Sequence, residues 1–453
     1  ARFSQWLADF EPEEHFIEIP GQYTGQRPPQ PDLHARVMSF DQSLLMLGSL
    51  RKPKRIKVHA NDEQDYMFLV KGGEDMRQDE RIEQLFEVMN QIFAGDALCA
   101  QSRLLNRTYK VIPMTTKVGL VEWVQNTMPF KAILEEEMAN DEEFVLNKAN
   151  HARETGGKYE VNLAGIQAAV YRQDWLKGNS PDIYHKMFMK ASRDMVVGMF
   201  DVCKSLLPDD LLRRRLISMA PSPEAFLTLR ADFAKSLAVF NVSSYILGIG
   251  DRHLDNYLMD LTSGELIGID FGMAFGLGAS QLPVPELLPF RMTQQFSSIL
   301  KPLDSVGLLK CHMVNSLSAL RREKDMLMNT MEVFLNEPII DWTGGVSKHE
   351  SQGAKAESWE PARKIQNALR KLEGYNPVTV LWDDLEQNAN AQHRKSLSKL
   401  KEIARGSEQA GNVRATAPLD SPLSITLQVE CLLDLATDSN VLGRQWSGLA
   451  TWV

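Results

Sequence analysis

The chain has 453 residues, 43% of them hydrophobic and 24% charged, and a formal net charge of -9 from 50 Lys plus Arg against 59 Asp plus Glu. This is the composition of a globular protein long enough for two or three packed units. Its acidic balance argues against non-specific DNA binding through the whole surface, while leaving room for a local basic groove. Cys99, Cys203, Cys311 and Cys431 lie far apart with no CxxC pair, which argues against a zinc ribbon or disulfide scaffold and fits a reducing compartment. No apolar run reaches the roughly 18 residues of a membrane span. The opening ARFSQWLADFEPEEHF has no charged region followed by an apolar core, so no signal peptide is read there. The first residue is Ala, and the sequence is expected to be a fragment of a longer polypeptide.

In chain order, 20–31 (PGQYTGQRPPQP) reads as an extended connector, because Pro lacks a donor and restricts its neighbour. The apolar runs LLMLGSL, RIKVHA and YMFLVKGG between 44 and 73 predict strands joined by tight turns. Over 78–94, Ile82, Leu85, Phe86, Met89 and Phe93 recur at helical spacing and predict an amphipathic helix. TYKVIPM and VGLVEWV predict two further strands, so 41–124 is expected to form a small α+β unit. From 131 to about 345 the pattern is mostly helical. A helix over 223–247 is announced by Ser222, Pro223 and Glu224. NYLMD, the turn LTSG and ELIGID then predict a hairpin. Residues 345–361 and 403–424 are polar and read as flexible linkers. The last segment is apolar at helical spacing through Val429, Leu432, Leu433, Leu435 and Ala436.

The stretch richest in chemistry is GIGDRHLDNYLMDLTSGELIGIDFG, 248–272. A hairpin returns its two ends to roughly 5 Å, so Asn256 and Asp270 should present oxygens side by side. Mg2+ takes one or two such protein oxygens and completes its shell with water and phosphate. Asp251 and His253 would lie beside the same phosphate. The carboxylate could orient a hydroxyl and accept its proton, and the imidazole could donate to phosphoryl oxygens. The plain alternative is a set of turn residues bonding their own backbone.

In FLVKGGEDMRQDERIEQLF, 68–86, Lys71 ends a predicted strand, and an unpaired buried ammonium costs several kcal/mol, order of magnitude only. ATP phosphates would pair it, with Glu74 or Asp79 holding it in place. The alternative is a surface lysine beside a solvated helix start. In LGSLRKPKRI, 47–56, Ser49, Arg51 and Lys52 at a turn either cover phosphates or form a solvated hairpin tip. VGLVEWVQNT, 118–127, joins the small unit to the helical one, where Trp123 either stacks on a flat base or is ordinary core. There is no Walker A and no GxGxxG before a helix.

Taken in this order, FLVKGGEDMRQDERIEQLF, GLVEWV, GIGDRHLDN and GIDFG resemble the phosphatidylinositol-3-kinase-related protein kinases. SLRKPKRI, SPEAFLTLR, LPVPELLPFR, NTMEVFLNEP, ARGSE and ATDSNVLGRQW extend the likeness over nearly the whole chain, most loosely at 1–40, 131–215 and 345–420. The resemblance implies an α+β, two-lobed protein-kinase-like fold. It implies an N-terminal connector at 1–40, a kinase N-lobe at 41–122, a hinge at 123–130, a C-lobe at 131–345, a regulatory linker region at 346–420 and a FATC-like C-terminal module at 421–453. It also implies Lys71 on the ATP α/β-phosphates with Asp79 as its acidic counterpart and Glu74 nearby. Leu47, Leu69, Tyr109, Trp123, Leu258 and Ile269 would line the adenine pocket, with Ser49 at the phosphates. Asp251 and His253 would be catalytic, Asn256 and Asp270 would hold Mg2+ (or Mn2+), and 270–291 would be the activation loop.

The activity implied is ATP-dependent phosphorylation of protein Ser or Thr followed by Gln. The setting implied is nuclear, in double-strand break repair by non-homologous end joining. Its partners would be the Ku heterodimer and DNA ends, reached through a portion preceding Ala1, with no membrane partner. A phosphoinositide lipid kinase is the competing reading, against which 272–290 contains no Lys or Arg for a polyanionic headgroup. A non-catalytic scaffold of the same fold is disfavoured because the phosphate lysine and both metal ligands are present.

Overall fold

The computed structural model describes residues 2–23, 28–48, 51–141, 167, 170–171, 180–280, 282–303, 307–338, 340, 342, 361–388 and 391–453. Two compact units emerge, Ala1–Glu87 with Thr108–Gln125, and Val88–Arg107 with Asn126–Val453.

Among the described residues, the first unit holds β1 (Arg2–Phe3), β2 (Val37–Phe40), β3 (Ser43–Met46), β4 (Lys54–Ala60), β5 (Asp65–Gly72), β6 (Val111–Thr115) and β7 (Val118–Glu122). They form an antiparallel sheet in the order β1-β3-β4-β5-β7-β6, with β2 also paired to β4. Side chains alternate across a strand. Phe68 and Val70 of β5 therefore join Val58, Ala60 and Leu120 in the core, while Met67, Leu69 and Lys71 take the other face. Phe10, Ile19 and Val37 belong to that same core. The expected connector 1–40 thus contributes strands and core side chains to this unit. Its strands are too short to produce a readable alternation.

The predicted helix spans Arg77–Gly95, and the five residues of its predicted apolar stripe are all buried. From Val88 onward it belongs to the second unit, together with 97–107. Asn90 and Asn106 exchange two hydrogen bonds (2.9 and 2.7 Å), Asn106 donates to Ser243 Oγ at 3.0 Å, and Asp96 pairs with Arg322 at 2.9 Å. These polar links move 88–107 out of the small unit expected at 41–124.

In the second unit β8 (Thr127–Pro129), β9 (Tyr257–Asp260) and β10 (Leu266–Gly268) form a small antiparallel sheet in the order β10-β9-β8. Part of the expected hinge 123–130 is therefore a strand. The helix Pro223–Leu247 starts as predicted, with Ser222 Oγ accepting from the Ala225 N–H. Every residue from Phe233 to Leu247 except Lys235 is buried, marking an internal helix rather than an amphipathic surface one. Its Ser236 hydroxyl accepts from Leu266 N at 2.8 Å, docking the hairpin on the helix.

The expected regulatory linker region 346–420 is, in its described part from 361, mostly helical. It folds into helices Pro361–Glu373, Pro377–Asn388 and Ala391–Arg405, and 403–424 is tied down by Arg414. That fully buried guanidinium donates to Ala404 O at 2.8 Å and pairs with Asp434 at 3.0 Å and with Asp438. Most of the other expected linker, 345–361, lies outside the described residues. The apolar C-terminal helix is Ile425–Thr437, with its predicted stripe buried.

Candidate active site

In the first unit the candidate residues gather on one face of β5 and at the start of the helix that follows. Leu69 and Lys71 lie two residues apart on β5, facing away from the main core. Opposite Lys71 stands Gly119 of β7, where a Cβ would meet Met76 Cγ at 2.6 Å. The missing side chain therefore lets Met76, one residue before the helix Arg77–Gly95, pack onto the lysine's face. Asp79 is buried in the first turn of that helix, with Glu83 buried one turn later.

Glu83 accepts from Tyr109 N at 3.3 Å. Burial pushes its carboxyl well above the ordinary value, against the Tyr109 bond and with the Asp79 charge adding to it. Tyr109 is itself buried, whereas Leu47, Leu69 and Trp123 are half-buried. Trp123 N donates to Met67 O at 2.9 Å, and Arg55 lies over its ring at 5.0 Å, so Trp123 is not an ordinary core residue. Glu74 pairs with Arg51 at 3.3 Å, and Arg51 also donates to Gly73 O. Arg51 thus ties the β3–β4 turn to the loop after Lys71, instead of standing open for phosphate. Ser49 lies outside the described residues.

In the second unit the candidate residues sit on a loop and hairpin held by backbone pairing. The long helix ends at Gly248 in the left-handed conformation (φ 61°), where a Cβ would come within 2.6 Å of Gly276 N. Phe275 N donates to Leu247 O (2.7 Å), Gly276 N to Gly248 O (2.9 Å) and Gly250 N to Met273 O (2.8 Å). These bonds hold 247–250 along 273–276 and set the loop 251–256 beside Asp270. Ile269 N donates to Asn256 O at 3.1 Å, closing the hairpin as expected.

Arg252 joins these pieces from inside. Its guanidinium donates to Gly250 O and Ile269 O (both 2.9 Å), to Asn256 O (3.5 Å) and to Asp270 O. Hydrogen bonds from a charged donor contribute about 1.5–3 kcal/mol each. They offset backbone strain, since Asp251 (φ 57°) and Asp270 (φ 60°) are both left-handed, at about 1–3 kcal/mol per residue. Asp is among the few residue types that tolerate this region.

Asn256 is buried, and its Nδ2 donates to Asp251 O at 2.8 Å, which leaves Oδ1 as the acceptor of the amide. Asp270 is exposed at the other hairpin end. An amide oxygen and a carboxylate are hard donors that fit Mg2+, with the remaining positions left to water and phosphate. Among the described residues there is no group of three or more His, Cys, Asp or Glu that could hold a metal ion.

His253 is half-buried, and among the described residues its Nδ1 has no hydrogen-bond partner. Burial lowers its pKa below 6.5, outweighing the pull of Asp251. The imidazole is therefore mainly neutral at pH 7, able to donate from one nitrogen and accept at the other. Leu258 and Ile269, the expected apolar neighbours, are half-buried beside the hairpin ends.

Three participants went unread in the sequence. Arg252 stands between the two residues singled out for catalysis. Glu286 is the lone acid of 272–290 and accepts from Asp251 N at 2.7 Å. Burial and the Asp251 charge push its carboxyl up to about 7, against the N–H groups of Asp251 and Arg252. Arg291, fully buried, donates to Leu449 O (2.5 Å), Ala450 O (2.8 Å), Val453 O (3.3 Å) and Arg252 O (3.4 Å). It thereby links the end of 270–291 to the C-terminal segment, and burial lowers its pKa to about 10. The readable signal was a solitary charge at either end of an apolar stretch.

A sequence model of the phosphatidylinositol 3- and 4-kinase family matches residues 65–344, and the chain belongs to that family. Among its relatives, the DNA-dependent protein kinase catalytic subunit of Dictyostelium discoideum is 43% identical over 98% of this chain and 10% of that protein. The protein of the same name from Mus musculus is 42% identical over 100% of this chain and 11% of its own length. The serine/threonine-protein kinase TOR of Arabidopsis thaliana is 30% identical over 72% of this chain and 12% of its own length. The chain thus spans about a tenth of the length of these relatives. The solved open conformation of CtTel1 matches 98% of this chain and 15% of that one, with a TM-score of 0.62 at 20% identity. At that identity the likeness speaks for the fold, which is α+β and of the two-lobed kinase kind.

Proposed function

We propose that this chain carries the catalytic part of a serine/threonine protein kinase. The first unit acts as its N-lobe, the second as its C-lobe, and 421–453 as a C-terminal module. Lys71, positioned with Asp79 and Glu74, takes the ATP phosphates. Leu47, Ser49, Leu69, Tyr109, Trp123, Leu258 and Ile269 serve the nucleotide. Asn256 and Asp270 are the protein ligands of Mg2+ or Mn2+, which supplies charge neutralisation at the phosphates when bound. Asp251 orients the substrate hydroxyl and accepts its proton as that oxygen bonds to the γ-phosphorus and the bond to ADP breaks. His253, neutral, donates to the phosphoryl oxygens.

The observation that carries this reading is the Arg252 lattice, which ties the carbonyls of Gly250, Asn256, Ile269 and Asp270 together around the loop that carries Asp251 and His253. The names of the relatives point to protein acceptors and, for the first, to dependence on DNA. We extend this to Ser or Thr followed by Gln, to a nuclear role in double-strand break repair by non-homologous end joining, and to the Ku heterodimer as partner.

A lipid substrate is the second reading, favoured by the family's own name. Against it, 272–290 offers no cation for a phosphoinositide headgroup. Label transfer from ATP to a Ser-Gln peptide and to phosphoinositide vesicles, run side by side with the full-length protein, separates the two. Label is expected on the peptide, and more of it with DNA ends and Ku. Labelled lipid with unlabelled peptide would replace the protein-kinase reading.

A further inference from the structure

The segment 286–291 touches two consecutive residues of the loop that carries Asp251. Glu286 Oε2 accepts from Asp251 N at 2.7 Å, and Arg291 donates to Arg252 O at 3.4 Å. Glu286 is also seated in a cradle of two glycines. A Cβ on Gly250 or on Gly278 would overlap its Oε2. Gly278 lies within the expected activation loop and Gly250 just before Asp251, so both chains are bare at the point where this carboxylate enters. Asp251 meanwhile has its backbone in the left-handed region, at φ 57°. Asp tolerates that conformation better than most residues but still at a cost, and the bond that fixes its N–H comes from Glu286.

We propose that Glu286 is a positioning residue for phosphoryl transfer. It holds the Asp251 backbone so that the Asp251 carboxylate meets the substrate hydroxyl, and it touches neither substrate nor metal. The inference rests on the phosphotransferase reading above and deepens it by naming what aims the base. The requirement is for an acceptor oxygen at the reach of a Glu side chain. A Gln supplies that oxygen, an Asp falls one methylene short, and an Ala leaves the Asp251 N–H without a partner.

The test is kcat and KM for Mg2+-ATP with a Ser-Gln peptide, measured on the full-length protein carrying Glu286→Ala, Glu286→Gln or Glu286→Asp, beside Asp251→Asn. Glu286→Ala is expected to lower kcat roughly 10- to 100-fold with the KM for ATP within about twofold of the parent. Glu286→Gln should restore kcat to within about threefold of the parent, as an acceptor at equal reach. An unchanged kcat in Glu286→Ala would overturn the proposal. So would equal damage in the Ala and Gln variants, or a raised KM at constant kcat. Should Glu286→Ala fail to fold, Glu286→Asp decides, since parental kcat there removes the need for reach. Asp251→Asn separates the two levels. Its inactivity beside a fully active Glu286→Ala sinks only the positioning role, whereas full activity in Asp251→Asn sinks the transferase reading and this role with it.

Discussion

Buried arginines hold together both the loop at 250–270 and the C-terminal segment at 404–438, but they are satisfied in opposite ways. Among the described residues, Arg252 donates to main-chain carbonyls, those of Gly250, Asn256, Ile269 and Asp270. Arg414 is neutralised by the carboxylates of Asp434 and Asp438, and Asp438 is shared with Arg193 at 3.1 Å. The carboxylates diverge accordingly. Burial raises Asp438, yet Arg414 beside it holds the group below its ordinary 3.8, whereas burial and a neighbouring acid push Glu286 up to about 7. In the C-terminal segment, cation and anion cancel and the result is architecture. In the loop, the cation grips carbonyls, so Arg252 sets the backbone around the acids expected to handle a hydroxyl and a metal.

The comparison breaks most visibly at Arg414. Arg414→Ala leaves two acids around an empty site and should lower the stability of 425–442 by about 3–5 kcal/mol, read as lost hydrogen-exchange protection. The kcat of the folded fraction should stay at the parental value. Reduced kcat with intact protection would erase the distinction between the two regions.

Next comes Glu286. Its folded pKa of about 7 exceeds the ordinary 4.5, so the folded state holds the proton more tightly. The associated stability is present in full below 4.5 and is lost as pH rises through 7, on the order of 3 kcal/mol at 1.36 per unit. Glu286→Gln does not titrate there, so its melting temperature should gain on the parent between pH 5 and pH 8. A constant gap between the two proteins would count against the raised carboxyl.

Arg252→Ala should lower kcat on the order of 100-fold, about 2.7 kcal/mol, and Arg252→Lys should recover little because one ammonium cannot span the four carbonyls. Full activity in Arg252→Lys would show that charge alone suffices. The smallest effect is expected at Ser222, at the N-terminal end of the long helix. Ser222→Ala removes the cap of the long helix and should cost about 1 kcal/mol of stability, with kcat unchanged.

What was legible in the sequence was local. The stripe from Ile82 to Phe93, the Ser222 cap and the hairpin from Tyr257 to Gly268 follow from periodicity and turn residues within a few positions. The grouping of Asp251, His253, Asn256 and Asp270 on that loop and hairpin was readable for the same reason. What escaped depends on distant partners. Residues 403–424 look like a polar linker until Arg414 meets acids 20 and 24 positions away. Glu286 acquires a role only through a bond to a residue 35 positions earlier. Strands of two and four residues at 2–3 and 37–40 carry too few side chains to show alternation. Trp123 is a case of ambiguous chemistry, since an indole serves a core or an open face equally well until Arg55 is found over its ring.

Asp270→Ala in the full-length protein, assayed for γ-phosphoryl transfer from Mg2+-ATP to a Ser-Gln peptide alongside hydrogen exchange of 248–276, is the most direct measurement. Transfer at background with an unchanged exchange pattern is the predicted result. Undiminished transfer would remove Asp270 from the metal site and contradict the reading of the hairpin ends as the place where the divalent ion is held.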